Sequence, residues 1–172
     1  MPYIAYYPGI IEQNLLNEAV NFLGTSPQTF PVGHPPHYEP LAPRRSYPPT
    51  TPLSLSTFGP TVMRPLGDIA LSRSGDKGAN INIGLFVHTD EEYDWLRNFL
   101  TTEQMQVMMG GDWKPEFYVE RIEFLGLKAV HFVIYGPLGR GASSSSRLDS
   151  LGKAFGEFIR AVQVPIPVKF FK

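Results

Sequence analysis

The chain has 172 residues, enough for one domain with a sizeable core and an attached arm. Fifteen basic residues against sixteen acidic leave a formal charge of −1, so no field of either sign favours nucleic acid or a membrane surface. With no Cys there is no disulfide framework, thiolate metal site or thiol nucleophile, and no apolar run approaches the roughly 20 residues of a membrane span. The opening Met-Pro-Tyr-Ile-Ala lacks the basic and apolar regions of a signal peptide. A cytoplasmic location is the expectation.

Ile11, Leu15, Ala19, Phe22 and Leu23 recur at helical spacing, which predicts a helix over 10–23 within an N-terminal segment 1–24, stopped at Gly24. Eleven of the seventeen prolines then fall between Pro27 and Pro65. Proline lacks the N–H and fixes φ, so 25–65 is expected to be an extended, irregular arm. Phe30, Tyr38, Leu41, Tyr47, Leu53, Leu55 and Phe58 are more apolar side chains than a free linker needs. The arm is therefore expected to lie over the domain or over a partner subunit.

From Leu66 onward, short strands and amphipathic helices define a domain over 66–172. Strands are expected at about 66–73 and 81–88. Asp90 can cap a helix through about Leu100, and Thr101 or Thr102 a second that ends at Gly110-Gly111. Strands at about 118–125 and 128–135 flank a short turn at Gly126-Leu127, and Ser145 or Ser146 opens a last helix at about 147–161. The order ββααββα points to an α+β fold with an antiparallel sheet and helices on one face.

Three features carry potential chemistry. Arg73-Ser-Gly-Asp-Lys-Gly-Ala-Asn-Ile-Asn-Ile-Gly84 joins two apolar runs. Its glycines suit either a ligand approaching the backbone or an ordinary hairpin turn. Within it, Asp76 and Lys77 read as base and electrostatic partner, or as a surface ion pair. Asn82 reads as a residue that orients the loop. Gly139 to Arg147 combines Ser hydroxyls, Arg140 and Arg147 at a helix start, which reads as an anion pocket or as a flexible Ser-capped loop. If Leu125 pairs with Lys128, then Tyr118, Glu120, Ile122, His131, Val133 and Tyr135 share one face. His131 is then either a general acid or base or a buried, hydrogen-bonded ring. His34-Pro-Pro-His37 offers two ligands without a third, so no metal site is expected.

Arg73 to Gly78 with Asn82, Ile83 and Gly84 resembles the signature of the small C-terminal domain of acyclic terpene utilisation (AtuA-like) proteins. Arg121-Ile-Glu-Phe-Leu-Gly-Leu-Lys-Ala-Val-His-Phe132, the block from Leu138 to Lys153, and Val164-Pro-Ile-Pro167 are similar to further blocks of that family, most like its fungal members. The likeness spans roughly 58–168. It implies a ferredoxin-like fold, here without the large N-terminal domain that usually precedes it. His131 stands where many relatives have Asn.

The resemblance implies a cofactor-independent acid–base enzyme of hydratase, isomerase, cyclase or lyase type. Its substrate would be a small hydrophobic, acyl or terpenoid-like molecule, with a place in fungal secondary metabolism. Asp76, Lys77 and His131 are the candidate catalytic residues. Arg73, Ser74, Asn82, Arg140, Ser145 and Arg147 are the candidate substrate contacts. Both loops are expected to converge on one pocket lined by His131. The alternative is a non-catalytic module that forms a homo-oligomer, or that partners a separately encoded AtuA-like large domain.

Overall fold

The computed structural model describes residues 9–40, 42, 44–145 and 147–171. The chain divides into two compact units, one up to residue 43 and one from Arg44 onward. Among the described residues, no helix is long and apolar enough to cross a membrane.

In the first unit the helix expected over 10–23 does not form. Gln13–Leu15 makes one 3-10 turn, and β1 (Ala19–Phe22) pairs antiparallel with β2 (Gln28–Pro31). A lone helix of this length is marginal in water, whereas the hairpin gains specific cross-strand contacts. Phe22 meets Phe30 edge to face at 5.7 Å, and Thr29 Oγ1 donates to Asn21 Oδ1 at 2.7 Å. Within this unit Phe30 and Tyr38 are exposed. Leu41 and the first eight residues lie outside the described set.

The second unit begins earlier than residue 66. Tyr47 N–H donates to Arg121 C=O at 3.0 Å, and Arg121 N–H donates to Ser46 Oγ at 3.2 Å. Residues 46–47 thus run beside strand β6 (Tyr118–Phe124) and occupy backbone groups of an edge that would otherwise invite pairing with another chain. Phe58 is buried in the core, while Tyr47 stays half exposed.

The strand expected over 66–73 is split. β3 (Thr61–Pro65) is followed by a 3-10 turn at Leu66–Asp68, and β4 (Leu71–Lys77) starts afterwards. β3 pairs antiparallel with β8 (Gln163–Pro167), a strand that its prolines disguise. In a two-stranded sheet one side of each strand is unpaired, so the missing N–H groups of Pro165 and Pro167 can be tolerated.

The main sheet has the order β4-β5-β7-β6, antiparallel throughout, with β5 (Asn80–Phe86) and β7 (Ala129–Tyr135) central. β5 and β6 run parallel with β7 between them. α1 (Asp90–Phe99) and α2 (Thr102–Met109) form the crossover, the split βαβ unit of ferredoxin-like folds. The N-cap of α1 is Thr89 rather than Asp90, because Thr89 and Glu92 bond reciprocally in a capping box. α3 (Phe155–Ala161) is shorter than the expected 147–161. Asp149 draws the N–H groups of Lys153 and Ala154 onto its carboxylate, and Gly152 takes φ +60, which interrupts a helix there. Ser146 lies outside the described residues.

The hairpin register is the expected one, with Tyr118 opposite Tyr135 and Ile122 opposite His131. It decides which side chains face the helices. Ile83, Leu85, Val130, Phe132 and Ile134 are fully buried beneath Leu96, Met105 and Ile159. Apart from Ala129, the alternate residues of the same strands stay partly exposed on the opposite face.

Candidate functional site

Strand alternation assembles the site. β4 places Arg73, Gly75 and Lys77 on the face opposite the helices, opposite Gly84, Asn82 and Asn80 of β5. β7 brings His131 opposite Gly84, where a Cβ would stand 3.8 Å from the imidazole Cδ2. Six motif residues that look like parts of a loop are thus one surface of a sheet. The turn itself is only Gly78-Ala79, with φ +63 at Gly78, which fits the tight twist of a hairpin.

A concavity of about 320 Å³ opens over this surface. Arg73, Lys77, Asn82, His131 and Lys153 supply its polar groups, and Phe86, Phe124 and Leu127 its apolar rim. Three cations and no carboxylate line it. Among the described residues the side chains of Arg73 and Lys153 have no hydrogen-bond or ion-pair partner. Asn82 Oδ1 is buried and unbonded. Such an orphaned acceptor is uncommon and costly unless something completes it. Among the described residues Lys77 Nζ donates only to its neighbour's carbonyl, Asp76 O, at 3.1 Å.

His131 is partly buried and packs edge to face against Phe124, ring centroids 6.0 Å apart. Burial pushes its pKa below the usual 6.5. Glu120 opposes that shift and Lys77 adds to it. The ring is therefore neutral at pH 7 and able to accept a proton or share one.

Lys153 is a site residue that motif reading missed. Gly152, at φ +60, presses against β4: a Cβ there would lie 3.2 Å from Ile81 Cγ1 and 3.4 Å from Gly75 C. That close approach carries the Lys153 ammonium over Gly75, where a Cβ would stand 3.0 Å from Nζ. The only sequence signal was the Gly152-Lys153 pair in the third family-like block.

Other expected site residues take different places: Ser74 lines the concavity, but its hydroxyl is engaged elsewhere. Ser74 turns toward α3. Its hydroxyl donates to Gly152 O at 2.7 Å or Lys153 O at 3.1 Å, and accepts from Gly156 N at 2.8 Å. It holds the Lys153 turn rather than a ligand. Asp76 is two residues further on the same face as Ser74, and so faces away from His131. The two loops do touch, since Leu138 N–H donates to Ala79 O at 2.9 Å. Yet Arg140, Ser145 and Arg147 line a separate concavity that shares no residue with the first. Among the described residues the two sets line separate concavities because the Arg73–Asn82 side chains project from a strand face, not from the turn that meets the second loop.

Arg121 and Glu123, from the second family-like block, are structural. The Arg121 guanidinium donates to Leu100 O (2.6 Å), Arg97 O (2.7 Å), Tyr47 O (2.8 Å) and Glu123 Oε1 (2.9 Å). Among the described residues no group of three or more His, Cys, Asp or Glu could hold a metal ion.

These features define a ferredoxin-like α+β domain with a basic, partly open sheet face. Residues 64–165 match the model of the AtuA ferredoxin-like domain family, more than half of the chain, and the chain belongs to that family. No curated protein and no solved structure matches it.

Proposed function

We propose that the open sheet face binds a small acyl compound and performs acid–base chemistry beside its carbonyl. The carrying observation is the set of unpartnered groups in one concavity: the Arg73 and Lys153 cations, the buried Asn82 Oδ1 and a neutral imidazole. In this reading Lys153 and Arg73 hold the developing oxyanion. His131 removes a proton from the carbon next to the carbonyl, and the electron pair moves onto oxygen. The proton returns to the same or a conjugated carbon, the common core of isomerase and hydratase reactions. Phe86, Phe124 and Leu127 take the chain. Lys77 adds positive charge at the far end of the same face.

The test is exchange of α-protons from hexanoyl-N-acetylcysteamine in D2O, followed by proton NMR. Exchange above the buffer rate should vanish in His131→Ala and fall strongly in Lys153→Met. Equal rates with and without protein would sink the reading.

One observation favours the alternative, an assembly module. Val20, Phe22 and Phe30 of the β1–β2 hairpin are all exposed, and a two-stranded hairpin is marginal on its own. A homo-oligomer, or a complex with an AtuA-like large domain, would cover them. Size-exclusion chromatography with light scattering of the full chain, alone and with such a domain, decides between a free monomer and that reading.

A further inference from the structure

We propose a second binding site, independent of the open face, for a small amphiphile with a phosphate-like head and an alkyl or alkenyl tail. Two concavities meet beyond the ends of β5 and β7. The first, about 380 Å³, is polar and contains Lys114, Arg140, Ser144 and Ser145, with Glu116 the single carboxylate. The second, about 410 Å³, is mostly apolar and is lined by Ile81, Met109, Leu148, Phe155 and Phe158. Pro137, Leu138 and Arg147 line both, so the two adjoin. Arg147 stands at the junction and has no ion-pair partner among the described residues.

The chemistry at each end selects the ligand. Three cations and two hydroxyls against one carboxylate favour an anion with several acceptor oxygens. Asp112 and Asp149 stand at the apolar end, and Asp149 is occupied by the Lys153 and Ala154 N–H groups. An aliphatic tail in that end would cover Leu148 and Phe158, both large apolar side chains left exposed. Neither an inorganic anion nor an uncharged alcohol would fill both halves.

Calorimetry with octyl phosphate below its micellar concentration tests the site on the full chain. Octyl phosphate should bind roughly tenfold or more tighter than inorganic phosphate or octanol, since each half contributes separately. Arg147→Glu and Phe158→Asp, both on exposed positions, should each weaken it by roughly tenfold or more without shifting the melting curve. If Phe158→Asp does not fold, Arg147→Glu decides alone. The proposal is overturned if octyl phosphate binds no tighter than inorganic phosphate, or if Arg147→Glu leaves its affinity unchanged. Binding to phosphatidic acid vesicles without binding of monomeric octyl phosphate would mark a membrane-contact surface, and would overturn it equally.

Discussion

Replacing Arg121 with Met should cost about 3–5 kcal/mol of folding stability, the usual loss when one member of a buried ion pair is removed. Arg121 is fully buried, and its guanidinium has four partners: the carbonyls of Leu100, Arg97 and Tyr47 and the Glu123 carboxylate. Methionine keeps the apolar stem but abandons all four. Glu123, with a side chain only 6% exposed, would keep only its bonds from Thr50. At roughly 2–4 °C per kcal/mol, the melting temperature should drop by about 10 °C. Urea unfolding followed by circular dichroism measures the loss directly. Arg121→Met combined with Glu123→Leu removes the stranded charge and should recover a large part of it, because apolar replacement of a whole buried pair is often near neutral. A single-variant loss below about 1 kcal/mol would show that the pair is not a stabilising hub. A double variant less stable than Arg121→Met would refute the stranded-charge reasoning.

Ser74→Ala should lower stability by about 1–3 kcal/mol, since it leaves the Gly156 N–H and the Lys153 turn without their buried partner; an unchanged urea midpoint would contradict that role. Gly75→Ala should leave the melting temperature within a few degrees yet weaken binding of short-chain carboxylates, because the new methyl displaces a flexible ammonium rather than backbone; calorimetry with hexanoate checks it. His131 has a folded-state pKa below 6.5, so the unfolded chain binds more protons at mildly acidic pH and stability falls as pH drops through 6.5 toward the folded value. His131→Asn should flatten that decline between about pH 7 and about pH 5, measured by urea unfolding at each pH; identical slopes would refute it.

Local chemistry made much of the domain legible. The two helices after residue 89 follow from their Thr caps and from the glycines after Met109. The β6–β7 register follows from one short turn, and it already placed His131 on a defined face with Glu120 and Tyr135. These depend on neighbours within a few residues, which periodicity and turn chemistry report. Tertiary structure decided what distant segments share. The helical spacing of 10–23 lost to a hairpin whose partner strand lies beyond Gly24, and β3 found its partner only at the C-terminal prolines. Arg73, Lys77 and Asn82 were recognisable as a motif, but Ser74 and Asp76 between them belong to the opposite face. Which set lies on the open face depends on where the helices pack, a long-range property absent from strand alternation itself. Lys153 shows the same limit. Its ammonium reaches Gly75 only because two glycines far apart in sequence let the turn and the strand approach closely, and that contact exists only once the chain is folded.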